Sequence, residues 1–528
     1  MANFHFHTES LKQLIQEEPS VWFVVEDPIS HQRGVISGEV NFNEIIQQWS
    51  LIGVIPLFHP AYLGDVCFLK AHRAQYPYIV GEMANGIATA KMVIAAASAG
   101  LVSFFGAAGL IPSIVEDNIV TIRDALKDIS CSWGSNLIHS PNEPMIEEAV
   151  VNVYLTQKVR RVSASAYMEL SPHIVHYSFK GISLLPDGQI KRPNHVIAKI
   201  SREEVAKQFM MPPSAEILSH LVQQQKLTQS EAQLASQLPV AEDITVEADS
   251  GGHTDNRPST VLFPLINKLV NQMNQHYSYK NPIRVGLAGG IGTPEAVYAA
   301  FSMGAAYVLT GTINETAVES GLSEEGKKMM SSASMTDVIM AAAADMFEQG
   351  VKLQVLKRGT LFGSKANKLY SIYKTYNSLE EIPRNLAYEI EQQIFRLNFA
   401  EVWQQTKEYF NHRDPSQIKK AEEDKKYKMG LVFRWYLGQS SRWAIQGEPT
   451  RKNDYQIWCG PCIGSFNQWI KGSYLEDLSQ RRVVDIAYHL MYGAAQLSRV
   501  QQLRQMGVET GLWEVGPILR NFGSDVKI

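Results

Sequence analysis

From Tyr78 onward, short apolar runs alternate with longer segments of helical period, the pattern of a parallel α/β fold. Eight runs read as strands: YIVGEM (78–83), LVSFF (101–105), SWGSNLI (132–138), HIVHYSF (173–179), HVIAKIS (195–201), DITVEA (243–248), IRVGLA (283–288) and AAYVLT (305–310). Eight is the number that closes a (β/α)8 TIM barrel, and that is the predicted fold. A ninth run, VRRVSAS (159–165), is left over and reads as an extra element before the fourth strand. QQQKLTQSEAQLAS (223–236) reads as an intervening helix.

The pattern also divides the chain. Residues 1–75 form an N-terminal accessory portion, with short β-rich runs such as VWFVVED and GVISGEV among polar turns. The barrel occupies 76–345. Beyond it, 346–528 reads as a mainly helical insertion and C-terminal appendage, rich in tryptophan and tyrosine. Its run KKAEEDKKYK mixes both signs and suits a solvated helix face. Met92–Val115 carries no charge over twenty-four residues, enough to cross a bilayer. Its glycines, proline and serines instead predict a buried helix ending at Gly100, the strand LVSFF and a loop, GAAGL.

Composition narrows the setting. The 528 residues are 45% hydrophobic, ample for a barrel core, and the formal charge of −4 argues against a nucleic-acid partner or an anionic membrane surface. Four cysteines in so long a chain suggest no disulfide framework. The start, MANFHFHTES, lacks the apolar core of a signal peptide, so a cytoplasmic protein is expected. His5 and His7 have no second ligand cluster, so no metal is expected.

The candidate chemistry gathers at glycine turns. In EADSGGHTDNRP (247–258), Gly251 and Gly252 let backbone approach a ligand closely, and His253 follows at the C-terminal mouth of a strand, where α/β barrels keep their chemistry. VGLAGGIGTPEAV (285–297) and GAAYVLTGT (304–312) follow in order. Gly289 and Gly290 would offer N–H groups, and Thr312 a hydroxyl, to a phosphate near the last two strands. AGGIG does not satisfy the dinucleotide fingerprint G-x-G-x-x-G. In GEMANGIAT (81–89), Met83 and Ala84 could floor a planar ring, and the Asn136 amide could both donate and accept at its edge. Tight barrel turns would use the same glycines, and a turn cap would use the same asparagine. WCGPC (458–462) is the thioredoxin string, but no βαβ frame surrounds it. Aromatic packing in the helical appendage is the reading adopted for it.

Together, EADSGGHTDNRP, AGGIGTPEAV, GEMANGIA, KLQVLKRGT, FRWYLG and DYQIWCGP resemble the trans-acting enoyl reductases of polyketide and polyunsaturated-fatty-acid synthases. These are flavin-dependent barrels related to nitronate monooxygenases. The resemblance runs from about Leu63 to beyond Arg499, and it departs at Cys462, where the family pattern has alanine.

The resemblance implies non-covalent FMN, with NADPH or NADH as hydride donor. It implies Met83, Ala84, Asn85 and Gly86 under the isoalloxazine, Asn136 at its edge, and Gly252 and His253 near its reactive face. Gly289, Gly290, Gly311 and Thr312 would hold the phosphate. The implied substrate is an enoyl thioester on an acyl carrier protein. His253 would hydrogen-bond its carbonyl or protonate its α-carbon, with an imidazole pKa of about 6.5. Two other readings stay open: a nitronate monooxygenase-type flavin oxidase, and a catalytically silent carrier-protein docking subunit. A homodimer is an assembly left open.

Overall fold

Eight parallel strands close into a barrel in chain order: β1 Tyr78–Val80, β2 Val102–Phe105, β3 Trp133–Ile138, β4 Arg161–Ser165, β5 His195–Ile200, β6 Asp243–Glu247, β7 Arg284–Ala288 and β8 Val308–Thr310. The ring closes where Leu309 of β8 lies opposite Ile79 of β1. Both faces of these strands are covered, which is why they read as unbroken apolar runs. This computed structural model describes residues 3–16, 21–38, 41–56, 59–141 and 143–517.

The fourth strand is not the one the pattern predicts. VRRVSAS supplies β4, which pairs with β3 and β5. HIVHYSF lies in a helix, Pro172–Phe179, whose residues from Ile174 to Phe179 are all buried. A short helix buried all round has no polar stripe, so periodicity cannot separate it from a strand. The deciding signal is local: Ser171 Oγ accepts from the Ile174 N–H at 3.2 Å, and Pro172 occupies the first turn. β4 was obscured because small and polar residues fill it.

The uncharged stretch resolves into a helix, Ala90–Ser98, then β2 and the start of a helix at Pro112. Among the described residues no helix is long and apolar enough to cross a membrane.

At the N-terminal ends of the strands lies a buried charge cluster. Arg284 donates to both Asp243 oxygens at 2.7 Å. Arg161 Nε donates to His72 Nδ1 at 3.0 Å, which leaves the His72 Nε2 proton for Asp243 at 2.9 Å. Burial alone would raise the Asp243 pKa, yet Arg284 and His72 hold it well below the usual carboxylate value.

Two additions complete the frame. An antiparallel sheet of Asn3–His5, Arg33–Ser37, Trp22–Glu26 and Ser50–Ile55 packs on the long helix Val483–Gln505, with the Arg499 guanidinium 4.1 Å above the Trp22 ring. On the opposite end of the barrel, Gly252–His253 pairs antiparallel with Lys352–Leu356, which pairs with Val338–Ala342. The boundary drawn at residue 345 falls between two strands of this small sheet. Helices from Phe362 to Gln446 then pack over the barrel mouth.

Candidate active site

The C-terminal ends of the strands open into a cavity of about 620 Å³. Met83, Ala84 and Asn85 reach it after β1, Asn136 from β3, and Gly252 and His253 after β6. Gly289 and Gly290 line it after β7, and Gly311 and Thr312 after β8. Five of the eight strand ends thus bring together ten of the eleven residues proposed from sequence. Gly86 stands apart, outside the cavity wall, and its N–H donates to Gly106 O at 2.9 Å to hold the turn.

Local bonding refines two roles. Asn136 Nδ2 donates to Ser163 O at 3.0 Å and to Ser165 Oγ at 2.9 Å. Both amide protons are spent on β4, so this side chain can offer a ligand only its carbonyl oxygen. At β7 the chain turns through Gly290 at φ +75°, and a Cβ built there, or on Gly311, would meet no atom within 4 Å. These two turns border open space, as a cradle for a bound group requires.

His253 has a partner that the sequence reading missed. Its Nε2 lies 3.1 Å from Asp345 Oδ1. Burial alone would lower the imidazole pKa, but the Asp345 carboxylate outweighs it and the net shift is upward. Asp345 titrates below its ordinary value despite its own burial, chiefly through the charge of His253. The ring therefore holds its proton to higher pH than an unperturbed imidazole. The small sheet makes this pair: its register sets His253 opposite Leu353, while Asp345 follows the neighbouring strand. A visible signal existed, since Asp345 is the lone charge in IMAAAADMF (339–347).

A second charged group went unread. Lys199 Nζ sits 3.2 Å from Glu82 Oε1 and 3.0 Å from Glu247 Oε1, and all three line the cavity. Burial works to deprotonate Lys199, but the two carboxylates prevail and raise its pKa. Lys199 and Glu247 lie in strands and Glu82 two residues past one, charges beside apolar runs, and that is the pattern that could have found them. Glu315 is a third such group. Burial pushes its carboxyl pKa well up at the cavity wall.

WCGPC also lies at the site rather than in the interior of the appendage. Trp458 bridges to Val355, and Gly460 N–H donates to Thr312 Oγ1 at 3.1 Å. A Cβ on Gly251 would come within 2.8 Å of Cys459 N, so the SGG turn and this segment touch backbone to backbone. Burial drives the Cys459 thiol well above its ordinary pKa and Cys462 up to about 12. Burial thus shifts both thiols away from the depressed pKa that dithiol exchange uses.

The chain is 37% identical to the enoyl reductase domain of MlnA from the macrolactin cluster of Bacillus amyloliquefaciens, at a TM-score of 0.80 over 84% of this chain and 99% of that one. The chain belongs to this family of synthase enoyl reductases. Two curated relatives extend the likeness within the family. A polyunsaturated fatty acid synthase subunit of Thraustochytrium sp. is 42% identical over 94% of this chain and 33% of its own length. Polyketide biosynthesis protein PksE of Bacillus subtilis is 41% identical over 85% and 58%. The chain therefore spans one third to just over half of these longer proteins. A family described as the inserted helical domain of [acyl-carrier-protein] S-malonyltransferase matches residues 376–455.

Proposed function

We propose that the protein is a trans-acting, FMN-dependent enoyl reductase that uses NAD(P)H to reduce the α,β double bond of enoyl thioesters on an acyl carrier protein. The observation that carries this reading is the hydrogen-bonded His253–Asp345 pair in a cavity that also holds an open glycine cradle. FMN fits these residues: Gly289, Gly290, Gly311 and Thr312 would hold its phosphate, Met83–Asn85 would lie under its ring, and Asn136 Oδ1 would meet a ring N–H. When bound, it supplies two-electron transfer between the nicotinamide donor and the β-carbon of the alkene.

The chain's own contribution is the proton and the field. With Nε2 engaged by Asp345, Nδ1 is the ring nitrogen left to serve the substrate. A charged imidazole there hydrogen-bonds the thioester oxygen as negative charge collects on it, and it can deliver the proton to the α-carbon. The monooxygenase alternative would use the same histidine as a base, and the oxidant that restores the flavin separates the two readings.

The test is an absorbance spectrum, followed by anaerobic NADPH and then a crotonyl thioester. Flavin bands that bleach and return with the thioester support the reading. Bands that return only with oxygen favour the monooxygenase, and a protein that binds no flavin on reconstitution sinks both.

Asp345→Asn separates the pair. Removing the carboxylate lowers the His253 pKa, so the protonated ring is lost at lower pH. The alkaline limb of the kcat profile should move towards acid, with turnover depressed at pH 8 more than at pH 6. An unmoved limb would assign that limb to another group.

A further inference from the structure

The helix Lys425–Gln446 turns one continuous face to the cavity, carrying Leu431, Arg434, Trp435, Gly438, Ser441 and Arg442. Their spacing of three and four keeps them on one stripe. Two members of this stripe are out of keeping with a purely structural helix.

Gly438 sits mid-helix, where glycine is a poor choice because it loses more backbone freedom on folding than any other residue. Nothing in the packing demands it: a Cβ built on Gly438 would meet no atom within 4 Å. An alanine would fit and would favour the helix. The missing side chain therefore leaves room beside the cavity rather than room for a neighbouring element.

Arg442 lies one turn further on. Three arginines line the cavity, and two are neutralised: Arg413 makes a two-pronged pair with Glu143 at 2.7 and 2.9 Å, and Arg434 lies 3.4 Å from Glu348. Lys199 is likewise paired. Among the described residues, Arg442 is the cavity-lining arginine with no carboxylate partner, and its side chain is exposed at the mouth. An unpaired guanidinium beside an open lane is suited to a phosphate ester, which it can grip with paired N–H groups.

We propose that this helix face seats the phosphate-bearing arm of the entering substrate: the arm lies over Gly438 and its phosphate meets Arg442. The inference rests on the enoyl reductase reading and deepens it. Two ligands of that reaction carry the chemistry, the phosphopantetheine arm of the carrier protein and the 2′-phosphate of NADPH. The helix belongs to the segment matched by the inserted domain of an acyl-carrier-protein transferase, and this favours the pantetheine arm.

The experiment compares Arg442→Ala with the parent protein on crotonyl phosphopantetheine, crotonyl pantetheine without the phosphate, and crotonyl N-acetylcysteamine, using NADPH and NADH in turn. The expected result is a KM for the phosphorylated thioester raised roughly tenfold or more, the loss of one charge-assisted contact. The two neutral thioesters and both nucleotides should be unaffected. A rise for NADPH alone would retain the phosphate site and assign it to the donor. Equal effects on all substrates, or none, would overturn the proposal. Turnover of the N-acetylcysteamine thioester by the parent protein tests the underlying reading separately.

Gly438→Phe provides an arm independent of charge. It should still be reduced by NADPH at the parent rate while thioester turnover falls at least tenfold, whereas Gly438→Ala should raise the unfolding midpoint. Unchanged thioester kinetics in Gly438→Phe would remove the arm from this face.

Discussion

His253→Ala is expected to keep bound FMN, to be reduced by NADPH at a near-normal rate, and to lose roughly 10²–10⁴-fold in enoyl-thioester reduction. The two half-reactions separate because His253 stands on the strand after β6 and takes no part in the glycine turns after β7 and β8. Its Nε2 is held by Asp345 at 3.1 Å. Truncating it removes a hydrogen-bond donor from the place where the thioester oxygen would gain charge, a loss felt in the transition state more than in the ground state. The fall should therefore appear in the rate of flavin reoxidation by crotonyl thioester under anaerobic single turnover. Near-normal reoxidation would take His253 out of the mechanism.

Asp243→Asn is expected to be the most destabilising single change away from the cavity, by about 3–5 kcal/mol at pH 7. The carboxylate is fully buried and is shared by Arg284 and His72. An amide of the same size leaves the Arg284 charge without its partner, and the loss exceeds any cavity effect. The sign of the pH dependence follows from the depressed pKa. Stability from Asp243 is complete above its unfolded pKa of about 3.9 and is lost as pH falls towards the folded value. Urea unfolding should show the full deficit between pH 5 and pH 8, narrowing only below about pH 4. A deficit under 1 kcal/mol at pH 7 would show that the cluster contributes little to stability.

The residues that sequence reasoning located share one property: their role is dictated by backbone. Gly252, Gly289, Gly290 and Gly311 mark turns where a side chain would obstruct, and such turns leave a trace in any sequence. The residues it missed act through pairing across distance. Asp345 meets His253 from 92 positions away, and Lys199 joins Glu82 and Glu247 from separate segments of the barrel. Nothing at position 345 announces which histidine it faces.

The sequence by itself determined the barrel, through seven of its eight strands and their order, and the end of it that carries the glycine turns. It did not determine which of two apolar runs is the fourth strand, because burial on every side erases periodicity and the choice fell to a helix cap at Ser171. Only the tertiary structure decided that His253 pairs with Asp345, that WCGPC lies against the SGG turn at the site, and that an arginine-bearing helix overhangs the mouth. Each of those depends on what distant segments bring to one point in space, which local sequence does not record.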